Sequence, residues 1–212
     1  MSGLKKTLRG LGAAWVSAVL VIFGGFASTH AEAAQGDVIV RLRGIVVAPD
    51  VSSTGTLSTI HSGVDTTAVP ELDFTYMFTD SFGAELILAT SRHGVTSDLG
   101  NLGKVSVLPP TLTLQYHFND AGRIRPYIGA GINYTLFYHN SLAVSGQGVD
   151  ITNHSFGPAL QAGVDFAVSD AWFVNLDVKK VWIRTDASLG GTDLGRLRID
   201  PWIVGFGVGR RF

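Results

Sequence analysis

A stretch of alternating residues at the end of the chain limits the fold more than any other feature. From Trp202 to Val208 the even positions are large and apolar, whereas positions 205, 207 and 209 are glycine. This period of two residues predicts a β-strand. The apolar face runs from Trp202 to Phe212. At ~3.3 Å per residue and a tilt of roughly 40°, that span rises about 25 Å, the height of the lipid-facing band of an outer-membrane barrel. A strand in lipid needs partners on both edges, so the pattern predicts a closed barrel in which this strand pairs with the first one.

Seven earlier segments alternate in the same way and bring the number of predicted strands to eight. The predicted strands cover residues 37–49, 69–78, 82–93, 107–118, 124–138, 154–168, 171–185 and 200–212. Long polar segments, predicted as loops at 50–67, 94–106, 139–153 and 186–196, alternate with short turns. This asymmetry predicts an all-β fold, an eight-stranded antiparallel transmembrane β-barrel with short periplasmic turns and long extracellular loops. A lipocalin-like secreted barrel, with its apolar face inside, is the alternative that alternation alone leaves open.

Aromatic residues recur at a spacing that fits the thickness of a bilayer. Two pairs are each separated by ten positions on one face of a strand, and we predict that they form the membrane girdle: Trp172, Trp182, Trp202 and Phe212. Lys180 and Arg210 lie on the same face near the girdle positions, from which their long side chains can reach lipid head groups.

The N-terminal residues have the composition of a secretory signal. Lys5, Lys6 and Arg9 precede an apolar segment at 11–26, and Ala31-Glu32-Ala33 fits the small-x-small cleavage pattern. We predict a signal peptide at 1–33 and a mature barrel domain at 34–212; a membrane anchor helix is the alternative. The chain is therefore expected in the cell outer membrane.

Composition excludes some classes of function. The chain has no cysteine, which rules out disulfides and thiolate sites. Its formal net charge is −1, and the body of the chain has no concentrated basic run, so no nucleic-acid partner is predicted.

The inward face of the predicted barrel is polar and charged. We predict that a polar interior network is formed by Arg41, Arg43, Glu71, Asp73, Glu85, Gln115, His117, Asn133, Asp165, Asp177 and Lys179. In an eight-stranded barrel side chains just fill the bore, so opposite charges there are expected to pair. Two compatible interpretations follow: a structural salt-bridge network, and a polar floor that blocks water and ions and forces an apolar ligand to leave between strands.

Apolar residues occupy the inward positions nearer the loops. We predict that a ligand channel is lined by Ile45, Val47, Ile87, Phe137, Val181 and Ile183. Ordinary packing explains the same pattern and stays open as the alternative.

Enzymatic and metal-binding signals are weak. Gly129-Ala130-Gly131 lacks the third glycine of a dinucleotide motif and lies on a strand. The histidines lack the spacing of metal ligands, so neither a metal nor a cofactor is predicted. Ser91 and His93 could share a face, but nothing marks the serine as an activated nucleophile, and we predict that the protein is not an enzyme.

Two segments resemble a known family. Arg125-Pro126-Tyr127-Ile128-Gly129-Ala130-Gly131-Ile132-Asn133-Tyr134 and the ending from Ile199 to Phe212 are similar to the OmpW family of small outer-membrane proteins. The resemblance implies a narrow barrel for passive uptake of small hydrophobic molecules, with lateral release into the membrane, and the family includes alkane-uptake members. The implied partners are outer-membrane lipid, a small hydrophobic ligand and the barrel-assembly machinery, which would read the C-terminal strand. Arg210 departs from the family, since such barrels usually place an apolar or aromatic residue there. A non-transporting barrel whose loops mediate interaction, adhesion or stress resistance is the alternative function.

Overall fold

A computed structural model describes residues 34–118 and 122–212 of the protein. These ranges contain one short helix, α1 (Thr56–Thr59), and sixteen strands: β1 (Val38–Ala48), β2 (Ser52–Ser53), β3 (Gly63–Val64), β4 (Thr67–Met77), β5 (Phe82–Ala89), β6 (Ser91–Ser97), β7 (Gly100–Leu108), β8 (Thr111–His117), β9 (Ile124–Tyr138), β10 (Ala143–Val144), β11 (Gln147–Ile151), β12 (His154–Ala167), β13 (Trp172–Val181), β14 (Arg184–Leu189), β15 (Thr192–Arg198) and β16 (Trp202–Arg211). The predicted signal peptide at 1–33 lies outside the described residues. Within them, no helix has the length and hydropathy that a membrane crossing requires.

Eight of the strands close into a barrel. Their order around the barrel follows their order in the chain, β1, β4, β5, β8, β9, β12, β13 and β16, and each is antiparallel to its neighbours. Strand β16 returns to pair with β1, from Ile39 opposite Arg211 to Ala48 opposite Trp202. The closed eight-stranded barrel predicted from the sequence is confirmed.

The two faces of the barrel wall differ sharply in polarity. On β16 the outward Phe206 is 60% exposed, whereas the inward Arg43 on neighbouring β1 is 1% exposed. The same contrast separates outward Phe74 from inward Asp73 on β4. Apolar side chains therefore cover the outside and charged ones fill the inside. This is the reverse of a lipocalin-like barrel and the arrangement that lipid requires.

Glycines on β16 make room for the charged interior. A Cβ atom at position 207 would collide with the backbone oxygen of Leu42 and the Cα of Arg43. At position 209 it would collide with the ring of Phe173. Because β16 has no side chains at these inward positions, β1 can lie close to it while the arginines of β1 point into the barrel.

The extracellular segments are folded rather than irregular, which corrects the prediction of polar loops at 94–106 and 186–196. The predicted strand 82–93 divides at Thr90, and its second part begins a hairpin, β6–β7, that continues the wall and pairs with β9. Residues 186–196 belong to the hairpin β14–β15, whose turn has positive φ at Gly190 and Gly191. Without this strand pairing, the backbone N–H and C=O groups of these two segments would have no hydrogen-bond partners at the barrel rim.

A small sheet covers part of the extracellular end. Its strands lie in the order β10, β11, β14, β15, β2. An apolar cluster of Leu57, Val149, Ala187 and Leu197 joins α1 to this sheet. Single apolar residues within polar stretches thereby form a second, smaller core above the barrel.

Candidate functional site

An apolar chamber lies inside the extracellular half of the barrel and continues beneath the extracellular segments. Its volume is about 100 Å³. It is lined by every residue predicted for the ligand channel: Ile45, Val47, Ile87, Phe137, Val181 and Ile183. All six are buried.

Further residues of the chamber wall were not predicted. They are apolar, come mostly from segments expected to be loops, and include Leu57, Ile60, Val95, Leu102, Val105, Leu142, Val149, Leu197 and Ile203. Ile203 could have been found, because it lies on the inward phase of a strand that the sequence located. The others depend on extracellular hairpins and on α1, whose inner faces cannot be assigned without their pairing partners.

Charged and polar residues form the lower end of the chamber. Glu71, Thr111 and Lys179 contribute to its lining. The Lys179 Nζ atom lies 2.7 Å from Glu71 Oε1 and 2.6 Å from Asp177 Oδ1. This floor is the top of a larger ionic network, which we call the plug; its charged members are Arg41, Arg43, Glu71, Asp73, Glu85, Asp165, Asp177 and Lys179.

Arg43 is the centre of the plug. Its Nε lies 2.8 Å from Glu71 Oε1, and its Nη2 contacts Asp73 and lies 3.2 Å from Glu85 Oε1. Its Nη1 lies 3.5 Å from Asp177 Oδ2. One guanidinium thus joins carboxylates from β4, β5 and β13, so it holds strands together across the barrel.

Arg41 occupies the layer below. Its Nη2 lies 2.9 Å from Asp165 Oδ2, and its Nη1 lies 3.3 Å from Asp73 Oδ1. The guanidinium carbon is 5.0 Å from the centre of the Tyr127 ring and 5.4 Å from that of Phe173. Phe173 packs with Ile39 and Met77 at the periplasmic end, so apolar side chains lie beneath the plug.

Several uncharged residues that were not among the predicted site residues also belong to the plug, and Tyr127 and Asn175 are two of them. The Tyr127 hydroxyl donates to Asp177 Oδ2 at 3.0 Å and accepts from Arg43 Nη1 at 3.2 Å. Asn175 Nδ2 donates to Asp165 Oδ1 at 2.7 Å. Alternation places both side chains inward, but the prediction favoured charge and passed over them.

All eleven residues predicted for the polar interior are buried, but they do not form one ionic cluster. Gln115 donates to Gln161 Oε1 at 3.2 Å and contacts the His117 ring nitrogen Nε2 at 2.9 Å. Asn133 donates to Thr111 Oγ1 at 2.8 Å. Gln115 and His117 join the plug through Gln161, which donates to Asp177 Oδ2 at 2.8 Å, whereas the hydrogen bonds of Asn133 stay outside it.

A serine and a histidine form a polar pair in the chamber wall. Ser91 Oγ lies 2.8 Å from His93 Nε2, and His93 Nδ1 lies 2.8 Å from the backbone oxygen of Asp65. Both side chains line the chamber. The shared face expected from their spacing is therefore real.

The sequence profile of the OmpW family matches residues 34–212. The chain belongs to the OmpW family. It is 43% identical over 182 residues to an uncharacterised outer-membrane protein, y4mB, of Sinorhizobium fredii, which covers 82% of this chain and 79% of the relative. It is 38% identical over 206 residues to outer membrane protein W of Escherichia coli, covering 92% and 96% of the two chains.

A solved outer-membrane protein has the same fold. The crystal structure of the outer membrane protein OprG from Pseudomonas aeruginosa superposes with a TM-score of 0.75 at 30% identity, covering 84% of this chain and 97% of that one. The protein is thus an outer-membrane β-barrel, and the predicted location is confirmed.

The predicted girdle residues of this OmpW-family barrel lie at opposite ends of its strands. Trp202 and Phe212 are exposed on the outer face, and Trp172 and Trp182 are half-buried. Lys180 Nζ lies 3.1 Å from Asp50 Oδ2 and 4.9 Å from the centre of the Trp202 ring. The Arg210 guanidinium carbon lies 4.6 Å from the centre of the Phe212 ring. Both cations therefore sit among aromatic rings near strand ends, where a charge on the lipid-facing side is tolerated.

Among residues 34–118 and 122–212, no group of three or more His, Asp or Glu side chains is arranged to hold a metal ion.

Proposed function

We propose that this OmpW-family barrel is a channel for passive uptake of small hydrophobic molecules, which enter the chamber from outside and leave sideways into the membrane. The observation that carries the proposal is the position of an apolar chamber directly above a filled polar bore. Lining residues such as Phe137 and Ile183 favour an apolar ligand, because they remove its surface from water. The chamber, at about 100 Å³, is of the same order of size as the ~150 Å³ cavity that holds benzene in an engineered protein, so ligands of about one ring or a short chain fit it best.

The plug supports lateral rather than axial exit. Arg41, Asp73 and Glu85 are each 0% exposed, so their charges are paired with one another instead of facing a continuous water path. An apolar molecule that moved down the axis would have to separate ion pairs in a space closed to water, which is unfavourable.

A seam in the wall of the chamber supports a lateral exit. Strand β4 pairs with β5 only as far as Glu71 opposite Ala89. Above that point, among the described residues, no strand ladder joins β4 to β6. Thr67 Oγ1 donates to the backbone oxygen of Arg92 at 3.3 Å, and Pro70 lacks an N–H group. Val69 and Ala89 line the chamber beside this seam.

We further infer that the barrel binds its ligand without chemical change. In the Ser91–His93 pair, the second ring nitrogen contacts a backbone oxygen rather than the carboxylate that orients the base in a catalytic triad. Neither a metal nor a cofactor has a role in passive uptake. The proposed partners are outer-membrane lipid, the hydrophobic ligand and the barrel-assembly machinery, which would recognise β16.

Entry into liposomes tests the uptake proposal. We expect liposomes carrying the protein to admit a small apolar dye faster than empty liposomes, and to exclude a polar sugar. Phe137→Asp or Ile183→Asp should reduce dye entry because each places a charge in the apolar wall. Phe137→Asn is a milder variant for use if either fails to fold, as judged by heat-modifiable gel mobility. Equal dye entry with and without protein would argue for the surface-interaction function instead.

A cross-link across the seam tests the exit. The chain has no cysteine, so Ala68→Cys with Arg92→Cys, two outward positions that face each other when the β4–β5 register is continued past the seam, introduces one possible disulfide. Oxidation should slow dye transfer into the membrane, and reduction should restore it. The matched control is Val46→Cys with Val204→Cys, whose positions are directly opposite on the fully paired strands β1 and β16. An equal effect of both cross-links, or of neither, would exclude the β4–β6 seam as the exit.

A further inference from the structure

We propose that the chamber prefers an apolar molecule with one hydroxyl group, such as a phenol or a short alcohol, over a hydrocarbon or ether of the same size. This inference rests on the proposed uptake function and names the class of ligand. It follows from the direction of the hydrogen bonds in the Ser91–His93 pair.

The backbone oxygen of Asp65 fixes the tautomer of His93. A carbonyl oxygen can only accept, so the Nδ1 atom at 2.8 Å must carry the ring proton. In the neutral ring Nε2 is then an acceptor, and the atom 2.8 Å away, Ser91 Oγ, must donate to it.

Ser91 therefore presents an acceptor to the ligand. A hydroxyl group has one proton, and Ser91 has committed it to His93, which leaves oxygen lone pairs on a side chain that lines the chamber. A ligand O–H can donate to them. An ether oxygen cannot bond to Ser91 without breaking the Ser91–His93 hydrogen bond, and a hydrocarbon gains nothing.

The Ser91 oxygen is a polar acceptor in an apolar part of the chamber wall. Val69, Ala89, Val95 and Val107 line the same region of the chamber. In such a wall, water competes poorly for a hydrogen bond. A single polar contact then decides between ligands whose apolar surfaces are equal.

Ser62 is a second, independent sign that the wall is built to meet a polar group. Its side chain lines the chamber and is 8% exposed, and its Oγ has no hydrogen-bond partner among the described residues. Val64 pairs with Val95, so Ser62 and His93 are about four strand positions, or ~13 Å, apart along one wall. A buried hydroxyl without a partner is unfavourable unless a ligand satisfies it.

Three probes with one ring test the preference. 4-Fluorophenol donates and accepts, 4-fluoroanisole only accepts, and 4-fluorotoluene does neither. Their binding to the full-length protein in lipid nanodiscs can be titrated by ¹⁹F NMR at pH 7.5, with empty nanodiscs to subtract partition into lipid. Because the phenol gains one neutral hydrogen bond that the other two lack, we expect it to bind about 3- to 10-fold more tightly.

Variants connect the preference to the polar pair. Ser91→Ala combined with His93→Phe removes both hydrogen-bonding groups of the pair and should abolish the advantage of the phenol, whereas Ser91→Ala alone would leave the Nε2 acceptor of His93 open to the ligand. Ser106→Ala is the matched control, because Ser106 is a buried serine on β7 that does not line the chamber. His93→Phe frees the serine proton, so 4-fluoroanisole should gain affinity and the ratio of phenol to anisole should fall towards one. Heat-modifiable mobility confirms that each variant is folded.

The outcomes separate this inference from the proposed function. Equal binding of all three probes, or a phenol advantage that survives the combined Ser91→Ala and His93→Phe change, would overturn the hydroxyl preference and leave uptake intact. If none of the probes binds saturably, the uptake channel itself fails and the preference fails with it.

Discussion

Removal of Arg43 from the plug should destabilise the barrel more than loss of any ion pair at its surface. The guanidinium contacts four carboxylates, those of Glu71, Asp73, Glu85 and Asp177. The plug has three cations, two arginines and Lys179, against five carboxylates. Arg43→Met would leave two cations for five buried acids.

The size of the effect follows from burial. Arg43 is 1% exposed, so solvent cannot replace it without entering the bore. Breaking a single buried ion pair by removing one partner costs about 3–5 kcal/mol, and this change breaks several at once. We expect a loss of at least that size in the free energy of unfolding. Arg43→Lys, which keeps the charge but loses the fork of donors, should have a smaller effect.

Urea unfolding in lipid vesicles, followed by tryptophan fluorescence and gel mobility, measures the change. Arg196→Met is the control: Arg196 and its partner Asp186 are both exposed, and loss of such a pair costs about 0–1 kcal/mol. If the free energy of unfolding of Arg43→Met lies within about 1 kcal/mol of that of Arg196→Met, the plug does not stabilise the barrel in the way described.

Three other predictions concern the wall, the chamber and the extracellular surface. Gly207→Val should lower the free energy of unfolding by about 1–3 kcal/mol or more, because the valine side chain would collide with the β1 backbone. Gly44 points outward, so Gly44→Val should leave the stability unchanged. The same urea assay measures both, and equal stability of the two variants would refute the clash. Ser62→Ala should raise the free energy of unfolding of the empty protein by up to about 1 kcal/mol, since it removes an unpaired buried hydroxyl; a loss of stability would mean that the hydroxyl has a partner. The hydrogen bond that His61 Nδ1 donates to Asp98 Oδ2, at 2.6 Å, raises the pKa of His61. This contact therefore stabilises the fold fully below the ordinary pKa near 6.5 and is lost as pH rises through the raised value. The Asp98 amide should therefore exchange faster at pH 8 than at pH 6 after correction for intrinsic rates, and Asp98→Asn should abolish the His61 pKa shift; unchanged protection would contradict the contact.

The sequence predicted the barrel well because lipid imposes a simple rule. In β4, Asp73 and Phe74 are adjacent and opposite in polarity, and the alternation assigns one to the bore and the other to the membrane. The glycines near Phe206 could likewise be assigned to a crowded interior. These are local patterns, and each strand carries its own.

Features that depend on distant pairing were beyond the sequence. The extracellular hairpin at Gly190-Gly191 has a turn signal, but its flanking residues are too polar to alternate clearly. Nothing near Arg43 identifies Asp177 as its partner, because that contact crosses the bore. The Ser91–His93 bond was expected from spacing, whereas the role of Asp65 depends on how the chain outside β3 folds back.

The pairing of β1 with β16 has a consequence for assembly. Every other pairing between neighbouring barrel strands joins one barrel strand to the next along the chain, whereas this one joins the first to the last, with Ile39 opposite Arg211. Before it forms, the chain is an open meander with two edges whose backbone groups have no partner in lipid. Closure of so long a loop is entropically costly and comes late in folding. We therefore expect the folding chain to pass through an open sheet whose two edge strands are unpaired. A helper protein that pairs a strand of its own with either edge until closure would shorten the lifetime of this open state.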